Sequence, residues 1–207
     1  MYSAARYGHD SVLNILLQAS KDNIDRNDAN ENTALLLAAE YGEDKSIELL
    51  LKNGTKAGSR NNRKMTALIM AARYGYPGIA RMLLNPETTE HEGLSKSEID
   101  EQDDDGFSAL HWAVFKGHEE IVQRLLSSNA DVSLNDRDKN TALHLAAILG
   151  YESFAKALLN KGADWTVKNK DNKSARDKAE DYGYDTIVKL FDSYRPPKLS
   201  RSRTFNN

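Results

Sequence analysis

Residues 140–169 read NTALHLAAILGYESFAKALLNKGADWTVKN, and this stretch decides the fold. Two short apolar segments flank Gly150, and the second ends in paired leucines followed by Gly-Ala-Asp. The same order of residues occurs at 107–135, FSALHWAVFKGHEEIVQRLLSSNADVSLN. The two copies begin 33 residues apart. A sequence period of this length indicates units that stack side by side and bury a shared core, so no unit is expected to be stable alone.

A glycine after the first apolar segment marks each unit. Small residues, mostly alanine pairs, precede this glycine, and an apolar stripe at helical spacing follows it. Alanine lets two antiparallel helices approach closely, and glycine supplies the backbone freedom for the turn between them. Nine residues before the glycine, a Ser or Thr is placed to cap the first helix. The marker glycines are Gly8, Gly42, Gly75, Gly117, Gly150 and Gly183, spaced by 34, 33, 42, 33 and 33 residues.

Composition excludes several classes of function. The chain has 207 residues, a net charge of -3, no cysteine and no run of about 18 apolar residues. We therefore expect no nucleic-acid binding, no membrane insertion, no disulfide framework and no thiolate metal site. These features favour an intracellular protein, in the cytoplasm rather than the nucleus.

The two best copies of the pattern, residues 103–135 and 136–169, resemble ankyrin repeats. Asp103-Asp104-Asp105-Gly106 opens the first copy, the motif histidine stands at His111 and His144, and Gly162-Ala163-Asp164 closes the second. The resemblance covers residues 1–194 and implies an all-α ankyrin-repeat solenoid of about six stacked helix-turn-helix units with short β-turn hairpins. The expected repeats are residues 1–27, 28–60, 61–93, 103–135, 136–168 and 169–194.

Three parts of the chain depart from the family pattern. The first copy begins at Met1 without a complete first helix, so we expect uncovered apolar surface there, as in a piece of a longer chain. The last copy is charged where its neighbours are rich in leucine, which is typical of a terminal cap. Residues 195–207 are basic and begin with two prolines after Arg195, and we expect a disordered tail.

An acidic insertion, residues 85–102, separates the third and fourth copies and is expected to form a mobile loop. A calcium loop aligned on Gly106 would place Glu101, Asp103 and Asp105 at the first ligand positions. Its bidentate glutamate would then fall on Trp112, which cannot coordinate calcium. We therefore expect a solvated turn and no metal.

No catalytic motif occurs in the sequence. His111, His118 and His144 occupy motif positions at which the family uses histidine for local hydrogen bonds. The sequence contains neither a His-Glu-x-x-His pair nor a glycine-rich phosphate loop nor a Gly-x-Ser-x-Gly turn. We expect a non-enzyme without a cofactor or small-molecule substrate.

The candidate binding residues precede the marker glycines or lie at the turn tips, since ankyrin proteins bind through a concave groove lined by these positions. Tyrosine stands directly before the glycine in four of six copies. Tyrosine and arginine are enriched at interface hot spots, although each tyrosine could equally pad the helix bend against its neighbour. The predicted protein-binding residues are Tyr41, Arg63, Met65, Arg73, Tyr74, Phe107, Phe115, Lys116, Ile148 and Leu149.

The expected function is that of a monomeric scaffold that binds a partner protein in this groove. Exposed apolar side chains would provide the affinity, and Arg73, Glu40 and the acidic loop would select the partner's charge. The alternatives are a targeting or regulatory segment of a larger enzyme, channel or adaptor assembly, and a purely structural spacer.

Overall fold

The computed structural model describes residues 1–19, 23–85 and 93–194, which form a stack of antiparallel helical pairs. Across these ranges the chain forms helices and isolated β-bridges but no extended strand. The predicted all-α solenoid of six helical pairs is confirmed. The helices are α1 (Tyr2–Arg6), α2 (Asp10–Ala19), α3 (Ala34–Tyr41), α4 (Asp44–Lys52), α5 (Ala67–Tyr74), α6 (Pro77–Leu84), α7 (Lys96–Ile99), α8 (Ala109–Lys116), α9 (Glu119–Ser127), α10 (Ala142–Leu149), α11 (Glu152–Asn160), α12 (Ala175–Asp181) and α13 (Asp185–Ser193).

The helices form two layers. The first helices of the pairs (α1, α3, α5, α8, α10 and α12) contact one another in sequence order. The second helices (α2, α4, α6, α9, α11 and α13) form the other layer, and each packs against its own first helix. The core lies between the layers, where the motif alanines Ala38, Ala39, Ala71 and Ala72 are fully buried. Each buried leucine that joins them contributes about 1.5–3 kcal/mol.

The capping residues act as the sequence predicts. The hydroxyl of Thr33 accepts the N–H of Leu36, and that of Thr66 accepts the N–H of Ile69, over 3.3 and 3.1 Å. These bonds satisfy N–H groups that have no partner within the helix. At the other end of α5, Gly75 has a φ of 82°, a left-handed conformation that ends the helix.

The hairpin turns between repeats are joined to one another through the backbone. The N–H of Asp104 donates to the carbonyl of Arg63 over 3.3 Å, and that of Arg137 donates to Asp105 over 3.1 Å. The N–H of Lys170 likewise donates to Asp138 over 2.9 Å. Because each turn is bonded to the next, the turns are held at fixed spacing beside the first helices.

The acidic insertion contains ordered structure in its second part, where the sequence predicted a loop. Helix α7 occupies Lys96–Ile99, and Ser95 and Glu98 form a capping box at its start. Ile99 is buried in the core, which fixes this helix to the stack. Residues 86–92 of the insertion and the basic tail, residues 195–207, lie outside the described residues.

The two terminal repeats differ in polarity. Val12 and Ile15 of α2 are exposed, whereas Ile79 and Ile121, which correspond to Val12 in later repeats, are buried. In the last repeat, Arg176 forms ion pairs with Asp192 and Glu180. The first repeat therefore leaves apolar surface exposed on α2, and the last repeat carries ion-paired charge.

Candidate functional site

The exposed ends of the first helices form the candidate site, here called the first-helix surface. It consists of the side chains one and two positions before the marker glycines, with the turn-tip residues beside them. Tyr41 is 46% exposed, Tyr74 is 42% exposed and Phe115 is 40% exposed. These three residues lie in the last turns of consecutive first helices, so the stack presents aromatic rings to solvent in three successive repeats.

At the start of the stack these exposed rings include Tyr7. The rings of Tyr7 and Tyr41 meet edge to face with centroids 6.2 Å apart, and the guanidinium of Arg6 lies 5.0 Å from the centre of the Tyr41 ring. The tyrosines therefore contact their neighbours with one side of the ring and remain accessible on the other. Both interpretations of the tyrosines, padding and contact surface, agree with this arrangement.

The centre of the first-helix surface is an aromatic cluster on α8 and the turn before it. The rings of Phe107, Trp112 and Phe115 lie 4.9–6.0 Å apart. The guanidinium of Arg73, from the preceding first helix, lies 4.5 Å from the Trp112 ring, and the ammonium of Lys116 lies 5.9 Å from it. Two cations from adjacent repeats therefore lie close to one indole, with contacts that orient both side chains.

Trp112 also ties this cluster to a hairpin turn. Its indole N–H donates to Oδ2 of Asp103 over 2.7 Å. The other carboxylate oxygen of Asp103 accepts the N–H groups of Asp105 and Phe107, each over 2.9 Å. One buried carboxylate thus fixes the turn and the indole together, and Trp112 is only 8% exposed.

Trp112 was missing from the residues predicted from the sequence, although it organises the cluster. Two signals could have identified it. Tryptophan is strongly enriched at interface hot spots, and Trp112 directly follows the motif histidine on a first helix. It contributes by positioning Arg73, Lys116 and Phe115, since its own ring is largely covered.

Met65 is the predicted residue that the structure contradicts. The sequence predicted an exposed apolar side chain at a turn tip, but Met65 is 5% exposed and belongs to the core. Lys64 before it takes a left-handed conformation with a φ of 56°, and the Met65 N–H donates back to Oδ1 of Asn61. The turn therefore directs this side chain onto the stack; Asn32, at the same position one repeat earlier, is also buried.

The remaining predicted residues lie where the sequence placed them, with differing exposure. Arg63 and Lys116 are exposed, whereas Arg73, Phe107, Ile148 and Leu149 are half-buried. Ile148 and Leu149 end α10 in the repeat after the aromatic cluster.

Acidic residues of the insertion and the turns are largely engaged within the protein. Glu101 pairs with Arg60 over 2.7 Å, and Asp100 accepts the N–H of Asp131 over 2.8 Å. Ion pairs also link successive turn tips: Lys64–Asp104, Arg137–Asp105 and Lys170–Asp138 at 3.3, 3.8 and 3.4 Å. These carboxylates therefore have basic or N–H partners among the described residues and are less available to select a partner's charge.

The two motif histidines have structural partners. Nδ1 of His144 accepts the N–H of Thr141 over 3.1 Å, and its Nε2 lies 3.3 Å from the carbonyl of Lys173 in the next repeat. Nδ1 of His111 likewise accepts the N–H of Ser108. Its Nε2 is buried near the backbone of Asn140 without a well-oriented hydrogen bond. Burial lowers the pKa of His111 to about 4, so the ring is neutral at physiological pH and is used for packing and capping.

A groove in the layer of second helices lies away from the first-helix surface. It holds about 440 Å³ between α6 and α9 and is lined by Arg81, Leu84, Glu120 and Arg124. Glu120 and Arg124 already bond each other within α9 over 2.7 Å. The described residues contain no group of three or more acidic or histidine side chains able to hold a metal ion. No helix in the described ranges is long and apolar enough to cross a membrane.

Stacked helical pairs with bonded hairpin turns define a helical-repeat protein whose first-helix layer carries exposed aromatic and cationic side chains. Residues 1–93 and 90–169 match the model of a family described as ankyrin repeats (3 copies). The chain therefore belongs to the ankyrin repeat family.

Curated relatives match through part of their length. The chain is 29% identical over 119 residues to inversin of Canis lupus familiaris, which covers 58% of this chain and 10% of inversin. It is 34% identical over 102 residues to the ankyrin repeat domain-containing protein SAT10 of Stachybotrys chartarum, covering 46% of this chain and 5% of that protein. It is 32% identical over 155 residues to the E3 ubiquitin-protein ligase XBAT33 of Arabidopsis thaliana, covering 64% of this chain and 29% of that protein. The chain thus spans less than a third of each relative.

Proposed function

We propose that this chain is a non-catalytic binding module that recognises a partner protein with its first-helix surface. The observation that carries the proposal is the set of exposed rings on consecutive first helices, Tyr41, Tyr74 and Phe115. Large aromatic side chains in contact with solvent favour a partner site, because they are costly to leave in water and lose little entropy on binding.

The rigidity of this surface supports the proposal. Arg73 and Lys116 are oriented by the Trp112 ring, and Trp112 is held by Asp103. A surface whose side chains are already ordered pays less conformational entropy when it binds. Ankyrin repeats generally mediate protein–protein interaction, and the proposed complex contains one copy of this chain in the cytoplasm, without nucleic acid or small-molecule substrate.

The test compares capture of partner proteins by the unaltered chain and by a variant with Tyr74→Ala and Phe115→Ala. Both rings are exposed, so the variant should fold and lose the specific partner. The control carries Gln123→Ala and Lys156→Ala in the layer of second helices and should capture the partner normally. Equal capture by all three proteins, at equal folded amounts, would contradict the proposal.

A second candidate is that this module targets or regulates a larger enzyme or assembly. Its support is the small share of each relative that the chain spans, including 29% of an E3 ubiquitin-protein ligase. An antibody raised against residues 103–169 would decide between the two on a denaturing gel of cell extract. A band well above 23.1 kDa favours the larger assembly, and a band at that mass favours the module alone.

A further inference from the structure

We infer that the partner segment recognised at the centre of the first-helix surface is an acidic peptide, with Asp or Glu side chains next to an apolar or aromatic residue. This inference rests on the proposed function and names the chemistry of its partner. The site consists of Arg73 and Lys116, which both lie close to the Trp112 ring, with Phe115 exposed beside them.

The two cations have no carboxylate partner among the described residues. Neither Arg73 nor Lys116 forms an ion pair there, and each is held by aromatic rings alone. Three turn-tip cations differ from them, because Lys64, Arg137 and Lys170 each pair with an aspartate. Arg73 and Lys116, by contrast, are available for a partner's carboxylates on the first-helix surface.

The three acidic side chains of the adjoining hairpin turn are already committed. Both oxygens of Asp103 accept bonds from N–H groups, and Asp104 and Asp105 pair with Lys64 and Arg137. Neutralisation of Arg73 and Lys116 thus has to come from outside these residues. If a partner covers these two cations with apolar surface, the loss of their hydration weakens binding unless the partner supplies negative charge.

The geometry fits carboxylates on a peptide. A guanidinium binds a carboxylate through two parallel bonds, and stacking on Trp112 and Tyr74 restricts the orientation of the Arg73 fork before any partner arrives. The ring centre of Phe115 lies 5.3 Å from the Lys116 ammonium. An apolar side chain of the partner that packs on Phe115 would therefore lie beside a carboxylate of the partner that binds Lys116. The expected motif is therefore an acidic residue close to a leucine or an aromatic residue.

Single-stranded nucleic acid also combines negative charge with groups that stack on rings, but the surroundings disfavour it. The turn-tip cations Lys64, Arg137 and Lys170 are paired with aspartates along the same stack. A continuous phosphate backbone would have to compete with these carboxylates, whereas a short peptide can place its charge on Arg73 and Lys116 alone.

The experiment selects displayed random peptides, about 12 residues long, on the full chain and then measures labelled peptides by fluorescence anisotropy. We expect the selected peptides to carry Asp or Glu near an apolar anchor. Changing their acidic residues to the matching amides should weaken binding about tenfold, because the charge-assisted bonds are lost.

Variants of the chain provide the matched control. Arg73→Glu with Lys116→Glu should weaken binding by at least about tenfold, and the neutral pair Arg73→Gln with Lys116→Gln should weaken it less. Lys156→Glu with Lys161→Glu makes the same charge change on exposed lysines at α11 and should leave the affinity within about twofold. The urea midpoint of each variant verifies that it is folded.

The outcomes separate this inference from the proposed function. In one outcome, Phe115→Ala abolishes binding of the selected peptides, the unaltered chain binds the amide peptides normally, and both Arg73/Lys116 variants bind the selected peptides normally. The first-helix surface then binds peptides, but the inferred acidic chemistry of the partner is wrong. If Phe115→Ala and Tyr74→Ala leave all selected peptides bound, the first-helix surface is not the site and the proposed function fails. Tighter binding of an oligothymidylate probe than of any peptide would also overturn the inference.

Discussion

The indole N–H of Trp112 and the carboxylate of Asp103 are 2.7 Å apart, and this bond joins a hairpin turn to the aromatic cluster beside it. The same carboxylate closes its own turn by accepting two backbone N–H groups. Asn61 and Asn169, at the matching position of other repeats, close their turns with one amide oxygen. The fourth repeat thus uses its additional oxygen to position Trp112.

Replacing Asp103 by Asn should remove this second role alone. The amide oxygen can still close the turn, but the NH2 group faces the indole N–H as a second donor. We expect a loss of about 1–3 kcal/mol in the free energy of unfolding. In a double-mutant cycle with Trp112→Phe, measured by urea denaturation, most of this loss should disappear. Additive losses would show that the two side chains are not coupled.

Met65 and Phe115 should respond oppositely to truncation. Met65→Ala creates a cavity in the core, so we expect the free energy of unfolding to fall by about 2–5 kcal/mol. Phe115→Ala removes a ring that is 40% exposed at the edge of the aromatic cluster and should cost less, about 1 kcal/mol, while abolishing partner binding. Equal unfolding free energies for the two variants would contradict the burial of Met65.

Stability should depend on pH through His111. Its pKa is lowered by burial from 6.5 to about 4, so the unfolded chain binds more protons between these values. Stability is therefore fully present above pH 6.5 and falls as the pH decreases toward 4, by roughly 3 kcal/mol for this residue.

The control for this pH effect replaces His111 by a residue that other repeats carry at the same position. Leu36 and Ile69 occupy the position of His111 in the second and third repeats. His111→Leu should therefore fold and give a shallower dependence of unfolding free energy on pH in this range. An unchanged slope would show that His111 titrates normally in the folded protein.

Gly106 should tolerate alanine less well than Gly162. Both have left-handed backbones, with φ of 79° and 87°, so both substitutions should cost about 1 kcal/mol of backbone strain. A Cβ at Gly106 would also lie 2.9 Å from the backbone nitrogen of Arg137 in the next turn, whereas nothing lies within 4 Å at Gly162. Thermal denaturation should thus show a clearly larger loss for Gly106→Ala, and equal losses would contradict the tight contact between turns.

Most of the fold could be predicted from the sequence because its signals are local and repeated. The glycine period, the alanine pairs and the capping hydroxyls at Thr33 and Thr66 each dictate backbone geometry within a few residues. Helix α7 was not predicted, since four residues give almost no helical period, and burial of Ile99 against the stack stabilises it.

The candidate site was predictable in position but not in detail. The residues before the glycines lie at the ends of the first helices, because the helical period fixes which side chains lie there, and their role in binding stays a prediction. The burial of Met65 follows from the turn after Lys64, and the position of Trp112 follows from a contact to Asp103 nine residues away. Such tertiary contacts decide exposure and leave no pattern in a single sequence.

The central claim is that partners bind on the first-helix surface, and site-specific photocrosslinking tests it most directly. A photoreactive phenylalanine analogue is placed at Phe115 in one protein and at Lys156, on exposed α11, in the other. We predict a specific crosslinked partner from position 115 that disappears when a selected peptide is added in excess, and none from position 156. Crosslinks from position 156 alone, or crosslinks from both positions that the peptide does not displace, would contradict the account.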